Sequence, residues 1–147
     1  MGFMDQVLAG EAILEAIASR VRDLPGIGAL ALFGSRARGS FRPDSDLDIA
    51  VLVARGFQGP RLRLQAEIAA LLVDLAPGGR VDVVLVDEAP ELLRQRIFED
   101  CKLVVLTDPD RWNELRICTM WEHGDREPYR EILRTALHER LARKASP

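Results

Sequence analysis

The stretch Leu47–Ala54, reading LDIAVLVA, is apolar on both faces of an extended chain apart from one aspartate. A segment of that kind is a strand covered on both sides, so it commits the chain to a sheet with packed layers above and below. The flanking sequence supplies the layers. Val7, Ile13, Leu14, Ile17, Val21 and Leu24 recur at helical spacing until Pro25-Gly26 and Gly28 break the pattern. A buried strand is expected at 29–33 and a helix over 60–75, ended by APGGR. A strand at 81–86, a helix over 89–100 and a short strand at 101–106 follow. Pro109 suits the first turn of a helix over 108–123, and after a break at Gly124 an amphipathic helix is expected over 127–144. At 147 residues, 48% hydrophobic and 29% charged, with no linker rich in Pro, Gly or Ser, the pattern predicts one α/β (α+β) domain with a small sheet. Residues 109–147 are expected to form a C-terminal helical extension of it.

Several function classes are disfavoured. A net charge of -3 argues against general nucleic-acid binding, which needs a concentrated basic face; Arg36, Arg38 and Arg42 make only a local patch. Cys101 and Cys118 are expected as buried free thiols. His123 and His138 lack the spacing of a zinc site. No apolar run approaches a membrane span, the first residues lack a basic region ahead of an apolar one, and Gln6 stands where a myristoylation signal wants Ser or Thr. A cytoplasmic location and no membrane partner are expected.

Chemistry concentrates at the entry to the apolar strand. Side chains alternate along a strand, so Asp46 and Asp48 share one face while Leu47 and Ile49 take the other. Their backbones lie roughly 6.6 Å apart, a spacing that lets both carboxylates converge on one divalent ion or a pair. Alternating acids also occur as an ordinary solvated face, but here they lead into a doubly apolar strand, where an uncompensated carboxylate is costly. Asp82 repeats the anomaly in VDVVLV. Three carboxylates together repel one another unless a cation neutralises them, and hard oxygen ligands suit Mg²⁺. An ion pair of Asp82 with Arg80 or Arg36 is the structural alternative. Gly34-Ser35, at the exit of the 29–33 strand, can be a plain turn or can offer backbone N–H groups and a hydroxyl to phosphate oxygens. Gly39 allows a second bend.

Gly34-Ser35, ten intervening residues and then Asp46-Leu47-Asp48, within FGSRARGSFRPDSDLDIAVLV, resemble the signature of the nucleotidyltransferase superfamily that includes DNA polymerase beta, in its small bacterial form, the minimal nucleotidyltransferases. The resemblance covers roughly residues 28 to 107. It implies a mixed β-sheet flanked by helices, ATP as substrate, and two Mg²⁺ ions held by Asp46, Asp48 and Asp82. Gly34 and Ser35 would bind the nucleotide, with Arg36, Arg38 and Ser45 beside them, a plain helix-surface role being the alternative for each arginine; Asp44 is read as a loop carboxylate. It further implies in-line transfer of AMP, with Asp82 helping to remove the acceptor proton. Members of this form are commonly antitoxins that transfer AMP to a tyrosine of a helical HEPN ribonuclease toxin. A small-molecule adenylyltransferase and a non-catalytic toxin-covering antitoxin remain the alternatives. The stripe Tyr129, Ile132, Leu133, Ala136, Leu137 and Leu141 in the last helix reads as core packing or as part of a docking face, with Trp112, Trp121 and Tyr129 as anchors.

Overall fold

The computed structural model describes residues 10–40, 42, 44–123 and 127–145, and the side chains of all of these except 123 and 127–130. The expectations for Gln6, Val7, the break at Gly124 and the side chains of His123 and Tyr129 lie outside the described residues. Elements run α1 (Glu11–Val21), β1 (Ile27–Phe33), α2 (Ser35–Arg38), β2 (Leu47–Val53), α3 (Arg61–Leu72), β3 (Val81–Leu85), α4 (Glu91–Asp100), β4 (Lys102–Leu106), α5 (Pro109–His123) and α6 (Glu127–Ala145). A 3-10 turn, Val73–Leu75, extends α3.

The four strands form one mixed sheet in the order β3-β2-β1-β4. β1 pairs antiparallel with β2 and β4, and β2 pairs parallel with β3. The two strands with the most continuous apolar sequence, IGALALF and LDIAVLV, therefore take the centre, where both faces are covered. β3 is an edge strand and only half-buried, so its polar positions are tolerated there.

Alternation divides the sheet into two cores. On one face Leu30, Leu32, Leu47, Ile49 and Val51 meet Ile13, Ile17 and Val21 of α1 and Leu64, Ile68 and Leu72 of α3. These triads recur at four-residue spacing, which puts each on a single helical face. On the other face Ala29, Ala31, Phe33, Ala50 and Leu52 meet Ile97 and Phe98 of α4 and Trp112 of α5. Small alanines leave room for large rings. Phe98 and Trp112 fill it edge to face, with centroids 4.9 Å apart. Trp112 is thus a core residue, 2% exposed, which corrects its assignment as a docking anchor.

Asp108 caps α5, its Oδ1 accepting the backbone N–H of Arg111 at 3.3 Å, and Pro109 takes the first turn as its fixed φ favours. α6 rests on α5 through an Arg140–Glu114 ion pair and an Arg143–Asp110 pair at 3.3 Å. Its apolar stripe divides: Leu133 and Ala136 are half-buried, whereas Ile132, Leu137 and Leu141 are exposed. Both cysteines are free thiols, but Cys118 is exposed and Cys101 only half-buried, against the expectation of two buried ones. Among the described residues no helix is long and apolar enough to cross a membrane.

Candidate active site

Parallel pairing of β2 with β3 sets Leu47 beside Val81 and Asp48 beside Asp82. Leu47 belongs to the core under α1 and α3, so Asp48 points to the opposite face, and its neighbour Asp82 shares that face. Across β1 the partner of Asp48 is Phe33, the last residue before Gly34. The sheet alone thus brings the acids and the glycine turn together from three separate strands.

Asp46 stands just ahead of β2. Its Oδ1 accepts the backbone N–H of Arg80 at 2.9 Å and its Oδ2 lies 3.8 Å from the Arg80 guanidinium, which is largely exposed. Arg80, weighed as a partner for Asp82, therefore faces Asp46. Asp82 enters no ion pair among the described residues. With Asp46 turned toward Arg80, no group of three acidic, His or Cys side chains among the described residues is gathered closely enough to hold a metal by itself.

The electrostatics are those of crowded carboxylates. Asp48 is half-buried, and desolvation first, then the charges of Asp82 and Asp46, push its carboxyl up to about 6, with Arg38 acting in the opposite direction. Two neighbouring carboxylates of this kind, with a third two residues upstream, form a hard oxygen donor set whose repulsion a divalent ion would relieve.

Gly34 takes φ +76°, and a Cβ on it would overlap the Oδ2 of Asp48 and sit 3.1 Å from its Cγ. Only glycine lets the turn lie against the carboxylate. Ser35 opens the one-turn helix α2, and its hydroxyl forms no hydrogen bond among the described residues. Gly34, Ser35, Arg38, Asp48 and Asp82 line one open cavity of about 580 Å³, a size suited to a small ligand. Arg96 and Asp100 of α4 complete its far wall, with Leu93, Val83 and Val84 as the apolar part. Sequence reasoning missed the α4 residues, which carry no motif of their own. Arg38 crosses the cavity to pair with Asp100 at 2.8 Å.

Arg36 and Ser45, expected beside the nucleotide, stand elsewhere. Arg36 is 3% exposed, and its guanidinium donates to the carbonyls of Ser45 at 3.0 Å and Leu75 at 3.3 Å. Burial lowers its pKa from the ordinary value. The reason is local: residues two apart on a helix do not share a face, so when Arg38 meets the cavity Arg36 turns inward. Ser45 offers its Oγ to the backbone N–H of Arg42 at 2.7 Å and so shapes the loop. Gly79 closes the same structure, because a Cβ there would stand 2.6 Å from the carbonyl oxygen of Ser45. Arg36, Gly79 and the Leu47 N–H, which donates to the Arg80 carbonyl at 2.7 Å, fix the loop that delivers Asp46 and Asp48.

The family model described as polymerase beta, nucleotidyltransferase, matches residues 15–110. No curated protein matches the chain significantly. Among solved structures, a crystal structure of a toxin–antitoxin with AMP-PNP is 25% identical, with 88% of this chain and 98% of that chain covered and a TM-score of 0.58. A mutant of the toxin–antitoxin MntA-HpeT is 23% identical over 92% of this chain and 99% of that one, with a TM-score of 0.60. A complex of tri-AMPylated Shewanella oneidensis HEPN toxin with MNT antitoxin is 24% identical over 88% and 95%, with a TM-score of 0.52. The last two establish likeness of fold.

Proposed function

Because the chain belongs to the polymerase beta nucleotidyltransferase family, we propose that it is an antitoxin that transfers AMP from ATP, with Mg²⁺, to a tyrosine of a partner HEPN ribonuclease toxin. The observation that carries this reading is the likeness over 88% of the chain to a toxin–antitoxin structure holding AMP-PNP. The shared cavity of Ser35, Asp48 and Asp82 supports it. A cytoplasmic location, and a single domain in which residues 109–147 are a helical extension, belong to the same proposal.

Asp48 and Asp82, with Asp46 once it exchanges Arg80 for the ion, would hold the metal. Bound Mg²⁺, in one or two ions, would neutralise the triphosphate and lower the pKa of the acceptor hydroxyl. The chain's own groups do the rest. Ser35 and the Gly34 backbone hold the terminal phosphates, and Arg38 approaches from α2. The acceptor oxygen forms its bond to the α-phosphorus as the bond to the bridging oxygen of pyrophosphate breaks. Asp82, exposed at the sheet edge, receives the acceptor proton. Positioning and charge neutralisation supply most of the rate.

The test is incubation with labelled ATP and Mg²⁺, with and without the helical toxin encoded by the neighbouring gene, followed by mass spectrometry. AMP on a toxin tyrosine is the expected product. Label on a small hydroxylated compound alone identifies a small-molecule adenylyltransferase. Toxin silencing with no label on anything identifies a non-catalytic cover.

A further inference from the structure

The charges in the 580 Å³ cavity do not balance for an anionic substrate. Asp48, Asp82 and Asp100 line it, against Arg38 and Arg96. Arg38 is half-exposed and shares its charge with Asp100 at 2.8 Å. Arg36, the other arginine of α2, is buried against the carbonyls of Ser45 and Leu75. Arg96 is different. It is exposed, lies on the α4 wall opposite α2, and its side chain enters no ion pair or hydrogen bond among the described residues.

Arg96 also lines a second opening of about 460 Å³ with Leu92, Leu93, Gln95 and Glu99, so it borders both spaces. A neutral acceptor hydroxyl gives a fixed cation little to recognise. A polyphosphate does, because guanidinium offers paired N–H donors that match phosphate oxygens. We propose that Arg96 is a substrate-binding residue that receives the polyphosphate of the nucleoside triphosphate from the side opposite Gly34-Ser35. This inference rests on the nucleotidyltransferase reading above and adds to it the second wall of the phosphate site.

The experiment is calorimetry of the full chain with a nonhydrolysable ATP analogue and Mg²⁺, comparing wild type with Arg96→Gln and Arg96→Lys, with circular dichroism as the control for folding. The exposed position predicts unchanged spectra. Arg96→Gln should weaken the analogue roughly 10- to 100-fold, the loss expected for a hydrogen bond to a charged group, and Arg96→Lys should recover part of it. If wild type binds the analogue and Arg96→Gln binds within twofold of it, the assignment of Arg96 is wrong while the nucleotide site stands. If both variants lose affinity equally, the paired N–H donors of the guanidinium rather than its charge alone carry the contact, and the assignment stands. If wild type itself binds no analogue, the underlying reading of the site fails instead.

Discussion

Gly34 has no side chain because Asp48 occupies the place a Cβ would take: its Oδ2 would be overlapped, and its own Cβ would lie 3.3 Å away. The φ of +76° at Gly34 compounds the constraint. Gly34→Ala should therefore cost more than the roughly 1–3 kcal/mol of holding an alanine in this glycine-only backbone conformation, since either the turn or the carboxylate must shift. Thermal melts should show the stability loss. Transfer should fall by orders of magnitude, because the displaced group is the central acid of the site. Near wild-type turnover in this variant would separate the turn from the chemistry.

Asp48→Asn and Asp82→Asn should each lower transfer by orders of magnitude with the fold intact, since each removes a charged oxygen ligand. For Asp48 the pH dependence of stability follows from its carboxyl, pushed up to about 6 from an ordinary 3.8. A carboxyl raised on folding favours the folded state where it is protonated, and that contribution is lost as the pH rises through about 6. Without metal, wild type should thus match Asp48→Asn near pH 4 and fall behind it by about pH 7. Mg²⁺ should restore wild type and leave the variant unchanged. Urea titrations of both proteins with a chelator decide the matter, and parallel curves across that window would contradict the assignment.

Arg36 and Arg38 should separate cleanly. Arg36→Ala strips the Ser45 and Leu75 carbonyls of a buried donor and should destabilise the domain by about 2–4 kcal/mol. Arg38→Ala breaks only a half-exposed pair with Asp100, so its stability should change by less than about 1 kcal/mol while nucleotide affinity falls. Denaturant midpoints and calorimetry on the two variants measure both effects; equal destabilisation would show that Arg38 is structural as well.

These arginines mark where the sequence stops being legible. The helices and strands could be read because each buries a face at a fixed period, and Asp48 because it is the one acid of a doubly apolar strand; Asp46, read onto the same face by strand alternation, instead stands ahead of β2 against Arg80. The pairing of Asp48 with Asp82 follows once β2 and β3 are parallel neighbours. Arg36 could not be told from Arg38, because which of two residues in a four-residue helix turns inward depends on the loop that Gly79 allows to close. Arg96 and Asp100 reach the cavity through the way α4 crosses the sheet, and that crossing depends on Phe98 and Trp112 packing over Ala29, Ala31 and Ala50. No spacing within α4 encodes it.

The last expectation concerns the partner. If a toxin tyrosine is the acceptor, docking must hold it in line with the α-phosphate, and an error near 1 Å can cost on the order of a hundredfold in rate. An interface of that precision typically buries about 800 Å² per partner. Ile132, Leu137 and Leu141 expose apolar surface on α6, and Arg134, paired with Glu131, is exposed beside them. Arg140 is the poorer probe because it ties α6 to Glu114 of α5, so its reversal would disturb the helix pair. Arg134→Glu and Leu141→Asp should leave the circular dichroism spectrum and the affinity for the ATP analogue unchanged. Each should lower AMP transfer to the toxin about tenfold or more, since a charge or an apolar anchor at a docking face alters association directly. Full transfer by both variants in mass spectrometry would place the toxin on another face of the domain.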